Sequence, residues 1–355
     1  MKWTRRMSQG IAGATAATAA AVALLSPAVL PNAQAAPLPG SAAIASPPVN
    51  SGIPAFVDPD ADLAARPAGS PAGYDSIFVT SWVKGGGHDY GIMVTILKDP
   101  SGSSKLAVSV SDQTSGWYKN YAAAIPSAAW STKKLDIKTP GLTWSGSAQQ
   151  MTINATTPWG AIGLQLANHG PALNYGGNGM VQIFGSTNYQ YALPNLSAAG
   201  TLTVDGKRAK VAGEAWLDRQ WGPVTFTPTS RWTWMNLNLS NGDKVAIWDN
   251  LNSTSESSWA TVQHPDGSYE LATVTPVAGE ASSFWKSAVS GNTYANRVIV
   301  NIPSLHARLE VKVTGAREQE VYPGRVEATA AVNGFFAGQK VVGYGFLEEA
   351  GAFTS

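Results

Sequence analysis

From Tyr74 onward the chain is a series of short apolar runs separated by tight-turn residues, among them Asp205-Gly206, Asn241-Gly242 and Pro265-Asp266-Gly267. This spacing limits the fold more than any other feature, because each such turn joins two neighbouring antiparallel strands. No run keeps the periodicity of a long amphipathic helix, so the chain reads as all-β. Leu309, Val311 and Val313 alternate with Arg308, Glu310 and Lys312, the pattern of a strand with one face in water. Runs 77–82, 92–97 and 298–302 are apolar on both faces, as central strands of a sandwich or closed barrel are. At this turn spacing about sixteen strands are expected.

Composition narrows the function classes. A length of 355 residues with 44% apolar side chains can fill two cores. Only 13% of residues are charged and the formal net charge is +1, which gives no basic footprint for nucleic acid. The absence of cysteine excludes thiol chemistry and disulfides. Four histidines without metal-ligand spacing lead us to expect no metal site. Residues 1–35 combine Arg5-Arg6, an apolar stretch over 11–30 and Ala33-Gln34-Ala35, the plan of a cleavable export signal by the twin-arginine or the Sec route. The protein is therefore expected to be secreted or extracytoplasmic, without a stable membrane anchor. Residues 36–71, rich in Pro, Ala and Ser, read as a linker or loose arm outside the core.

Two segments carry chemistry. In 214–222, strand alternation puts Glu214, Trp216, Asp218 and Gln220 on one face and Leu217, Arg219 and Trp221 on the other. Neither face is plainly core or plainly solvent. In 231–239, Thr233, Met235, Leu237 and Leu239 form a core face. Opposite them, Trp232, Trp234, Asn236 and Asn238 form an aromatic and amide wall suited to a ligand cavity, or else to a second core.

The 214–222 run resembles the motif of the family that contains carotenoid hydratases (hydroxyneurosporene synthases), kievitone hydratase and related lipocalin-like proteins. Three further segments resemble that family: Tyr189 to Pro194 with the hairpin over 199–207, Tyr322 to Glu327, and Gly343 to Glu348. The resemblance implies two antiparallel β domains, an N-terminal sandwich or half-barrel (72–212) and a C-terminal lipocalin-like barrel (213–355), with a pocket between or within them. It also implies a hydrophobic isoprenoid, polyene or prenylated substrate. The activities open to such a chain are hydration of a C=C bond without a cofactor, cyclisation of a polyene, and carriage of a hydrophobic ligand without catalysis.

Acid-catalysed hydration of an isolated alkene needs a proton donor, a wall that tolerates a tertiary cation, and a positioned water. Asp218 is the candidate donor, provided burial beside indoles keeps its carboxyl protonated. Trp216 and the indoles of Trp232 and Trp234 are candidate cation stabilisers. Trp221, Asn236, Tyr191 and Tyr175 are candidate substrate contacts. Arg219 should point away from Asp218, and Glu214, about 13 Å from it along a strand, reads as a structural brace beside the site. His169 in Asn168-His169-Gly170-Pro171 is a candidate base or water-holder. Asn174 to Gly179 lacks the lysine and following helix of a phosphate cradle and reads as a long β-loop able to act as a lid.

Overall fold

The computed structural model describes residues 55–67, 73–125 and 129–353, so the expected export signal over 1–35 lies outside the described residues. Among these residues are 23 strands, four short 3-10 turns and no α-helix. The all-β expectation holds, in two antiparallel sheets of which one is a half-barrel. The strands outnumber the expected sixteen because several are short ladders, such as Ala129–Trp130, that turn spacing alone does not mark.

The first sheet has 13 strands. Its main path runs Tyr118–Ile125, Ser104–Asp112, His88–Lys98, Tyr74–Gly85, Lys207–Gly222, Ser186–Val204, Gly160–Asn168, Gln150–Thr157, Leu142–Gly146, Leu135–Thr139 and Ala129–Trp130. Leu173–Asn174 and Met180–Ile183 also pair with Ser186–Val204. The second sheet has 10 strands. Its path runs Tyr269–Thr273, Glu256–Gln263, Lys244–Leu251, Arg231–Leu239, Gln339–Ala350, Arg325–Phe336, Ala307–Val313, Thr293–Ile302 and Ser282–Lys286, with Glu320–Tyr322 on Arg325–Phe336. The chain changes sheet between Gly222 and Arg231, so the boundary expected at 212/213 falls inside a strand. That strand, Lys207–Gly222, pairs Tyr74–Gly85 on one side and Ser186–Val204 on the other, which ties the whole acidic motif to the first sheet.

The doubly apolar runs are explained by three buried layers. Ile77, Val79, Val94 and Leu217 enter a core of the first sheet alone. Phe78, Met93, Ala107 and Trp216 point the other way, into a layer shared with Trp234, Ala246, Trp248 and Phe346 of the second sheet. Met235, Leu237, Val245 and Ile247 fill the second sheet's own core. The sheets approach closely where Gly91 meets Thr329: a Cβ on Gly91 would stand 1.8 Å from the threonine methyl. Hydrogen bonds from Gln113 Nε2 to Thr329 Oγ1 (2.6 Å) and from Asn236 Nδ2 to Thr80 Oγ1 (2.8 Å) cross the same layer.

The expected loose arm is part of this structure over its described end. Val57, Leu63, Ala64 and Ala65 are buried, and Trp130 donates its indole N–H to Leu63 O (3.1 Å). Few large side chains made the segment look peripheral, but its backbone carbonyls carry the attachment. Arg219, wholly buried, donates from Nε to Asp62 O (2.7 Å) and from Nη2 to Ala64 O (2.9 Å). Its Nη1 donates to Ser76 O (2.9 Å) and Gln220 O (3.0 Å) and stands 2.5 Å from Asp75 Oδ1 as an ion pair. The other Asp75 oxygen accepts from Arg66 N (2.8 Å). Replacing Arg219 by Met should cost about 3–5 kcal/mol in urea unfolding, since it leaves a buried carboxylate unpaired. Adding Asp75→Asn should recover part of that loss. A single-variant loss below about 1 kcal/mol, the scale of an exposed ion pair, would mean that the arm is held elsewhere.

Candidate functional site

A cavity of about 290 Å³ opens between the two sheets. Cross-strand partners send their side chains to the same face, and this places Trp259, Trp248, Trp234, Glu348 and Glu327 in one row across the second sheet. In the first sheet the register aligns Ala192, Asp218, Phe78, Thr95 and Ala107. From these rows Asp218, Phe78, Thr95, Ala107, Trp248, Trp234 and Glu348 line the cavity. Phe78 meets the Trp234 ring edge-on at 5.5 Å between centroids. Trp248 donates to Gln190 Oε1 (3.0 Å) across one end of the chamber.

Asp218 is buried among neutral donors. Tyr175 Oη lies 3.0 and 3.1 Å from its two oxygens, Trp216 Nε1 donates to Oδ1 (3.3 Å), and Trp234 Nε1 donates to Tyr175 Oη (3.1 Å). Burial pushes the Asp218 carboxyl well above the ordinary carboxylate range; the Tyr175 and Trp216 hydrogen bonds pull the other way, and the charge of Glu348 adds to the rise. Burial and the adjacent Asp218 likewise push the Tyr175 phenol well up. The Asp218 carboxyl at the cavity wall is thus aligned by a Trp–Tyr chain and biased by burial towards its protonated form.

Tyr175 reaches this position because the glycine-rich segment is a buried plug and not a lid. The chain turns through Gly176 at φ +63°, whose N–H donates to Thr261 Oγ1 (3.0 Å) in the second sheet. Gly179 lies so close to the arm that a Cβ would stand 2.5 Å from the Val57 methyls.

The remaining expectations divide. Trp232 and Trp234 line the cavity, as the aromatic wall requires. Trp221 touches the rim while stacking on Tyr189 at 5.6 Å under the Arg66 guanidinium. Asn236 lies beside a small neighbouring void and bridges to Thr80, so it joins the sheets instead of contacting the chamber. Tyr191 pairs with Arg219 in register, faces the first sheet's own core and donates to Pro59 O (3.0 Å); it is not a cavity residue. His169 is exposed outside the cavity, 2.8 Å from Ser197 Oγ, and takes no part in the site. Glu214 is exposed, and Arg219 points away from Asp218.

Composition did not mark the second polar pole of the chamber. Arg325 donates from Nη2 to Glu348 Oε2 (2.7 Å), from Nε to Glu327 Oε1 (2.7 Å) and from Nη1 to Tyr322 Oη (3.2 Å). Trp232 Nε1 donates to the other Glu348 oxygen. Burial works against the Arg325 cation, but Glu348, Tyr322 and Glu327 outweigh it and hold it firmly protonated. Burial and Glu348 push the Glu327 carboxyl well above the ordinary range. Gln190 and Gln220, paired across adjacent strands, also line the chamber. The signals were there in the sequence: two adjacent acids at Glu348-Glu349 in an apolar strand, and Arg325 two residues before Glu327.

Comparison with known proteins gives consistent results. The AttH-like family model matches residues 97–351. Kievitone hydratase of Fusarium solani subsp. phaseoli is 26% identical over 191 residues, 48% of this chain and 51% of that protein, so the chain aligns with about half the length of this relative. A crystal structure of an AttH protein from Nitrosomonas europaea superposes with a TM-score of 0.71 at 20% identity, covering 90% of this chain and 99% of that one. Kievitone hydratase from Nectria haematococca superposes with a TM-score of 0.72 at 18% identity, covering 84% and 94%. At these identities the two superpositions establish the fold.

The Tyr175 hydroxyl donates to Asp218 and so favours the ionised carboxyl. Tyr175→Phe should move the Asp218 titration further up, read by carbon-13 NMR of labelled aspartate. A midpoint that stays put or falls would separate the phenol from the acid.

Proposed function

The chain belongs to the AttH-like family, and from that premise and the chemistry of its inter-sheet cavity we propose that it is a hydratase that adds water to a C=C bond of a prenylated or isoprenoid substrate by acid catalysis. One observation carries the reading: the Asp218 carboxyl is buried at the wall of an indole-lined chamber, where desolvation raises it well above the ordinary carboxylate range. The partial likeness to kievitone hydratase supports the same reaction class. Asp218 donates its proton to the less substituted alkene carbon, and the tertiary cation that forms is held within the indole lining that Trp234 and Trp248 supply. Water adds to the cation and releases a proton, so that H and OH are gained across the bond. The cavity is at the small end of ligand pockets, which favours a single prenyl-bearing end over a whole long polyene. The Arg5-Arg6 segment supports an exported enzyme.

Mass spectrometry after incubation with a panel of prenylated phenols and linear isoprenoid alkenes tests this reading. Gain of one water by a panel member is expected; an isomer of unchanged mass points to cyclisation, and co-purification without conversion points to a carrier. Asp218→Asn should lower turnover about 10²–10⁴-fold, the range of a lost general acid. It should also change the pH dependence of stability. A carboxyl raised in the folded state keeps its proton where the unfolded chain has lost it, so wild-type stability falls as pH rises from the ordinary carboxylate value of about 4 towards the folded-state midpoint. The variant should lose the Asp218 share of that slope in denaturation between acidic and neutral pH, leaving the shares of the buried Glu327 and Glu349.

A further inference from the structure

We propose that Glu348, clamped by Arg325 and Trp232 and backed by Glu327, is the base that holds the attacking water and takes its proton. The inference rests on the hydratase reading and assigns the second half of that reaction.

Glu348 shares the chamber with Asp218 but belongs to the other sheet, directly beside Trp234 in register. The two carboxyl groups thus approach a substrate from opposite walls, the arrangement that addition of a proton and a water to the two ends of one double bond requires. Their surroundings differ in kind. Asp218 has only neutral donors, Tyr175 and Trp216. Glu348 receives a guanidinium hydrogen bond on one oxygen and an indole N–H on the other, which fixes the plane of the carboxylate and leaves its remaining lone pairs for a water. One cavity therefore holds one acid-type and one base-type carboxyl group, the division of roles that acid–base catalysis needs.

Glu327 explains how a base survives there. It is buried next to Glu348 in register, and one of its oxygens takes the Arg325 Nε–H while the other, Oε2, has no donor. Two carboxylates on one guanidinium would leave an uncompensated buried charge. A proton on Glu327 Oε2 removes both difficulties, because it supplies the missing hydrogen and can be donated to Glu348. The pair then carries one negative charge against one Arg325 cation. In the reaction the water oxygen forms the C–O bond to the tertiary cation and its O–H bond breaks towards Glu348. Asp218 ends as carboxylate and Glu348 as acid, and exchange of one proton with solvent resets both.

Running the reaction in D2O with the panel member that wild type hydrates separates the two steps. Wild-type protein should give alcohol with one deuterium on carbon. Glu348→Gln keeps the proton donor but loses the base, so protonated substrate should revert before water is captured. Hydration should fall about 10²–10⁴-fold, and deuterium should accumulate in recovered alkene, raising the ratio of exchange to hydration at least ~10-fold. Damage to structure alone would lower both steps and leave the ratio unchanged. Glu348→Asp keeps the charge facing Arg325 and withdraws the carboxylate by one methylene; it should raise the ratio to an intermediate degree and decides the matter if the glutamine variant does not fold. A wild-type ratio in a folded Glu348 variant overturns this proposal. Full hydration by Asp218→Asn would instead overturn the acid reading beneath it.

Discussion

Asp218 and Arg219 are adjacent, both buried and of opposite charge type, yet the pleat of one strand keeps them apart. Had they met, the guanidinium would favour the ionised carboxylate and oppose the rise that burial gives Asp218. Alternation sends Arg219 to the carbonyls of Asp62, Ala64, Ser76 and Gln220 and to Asp75, while Asp218 goes to Tyr175 and Trp216. Each group then has a complete but different environment. A shift of register by one residue would exchange the two faces, so the paired strands on either side protect the chemistry as well as the fold.

The chamber is made by two rows of side chains on separate sheets, and this division determines what each can contribute. The first sheet supplies the acid, set among small or apolar neighbours, Ala192, Phe78 and Thr95. The second supplies the indoles and the Arg325 cluster, whose guanidinium holds the Glu348 carboxylate. Tyr175 joins the two, since its hydroxyl meets both Asp218 and the Trp234 N–H. Desolvation dominates this arrangement, with direct hydrogen bonds and the nearby Glu348 charge contributing after it.

Much of this was legible in the sequence, and the misreadings have physical causes. Turn dipeptides and alternation lead to an all-β chain, to the face shared by Asp218 and Trp216, and to the wall of Trp232 and Trp234. They do not give the register between strands. The sequence reading places Tyr191, in the segment that resembles the family, among the substrate contacts, whereas pairing puts Tyr191 opposite Arg219 and Gln190 opposite Gln220, so the glutamines line the chamber. The arm over 55–67 looks detachable because its anchoring uses backbone carbonyls, which leave no trace in side-chain composition. Glu348 and Arg325 stand 23 residues apart and become partners only when their two strands pair.

The close approach of Gly91 to Thr329 has an effect well beyond the spot where it occurs. It acts as a spacer of zero thickness between the slab that carries Asp218 and the slab that carries Trp234 and Glu348. A side chain at that glycine would have to displace the Thr329 methyl or wedge the slabs apart, as a shim does under a hinge, changing the gap between Asp218 and Glu348 without altering a single atom that lines it.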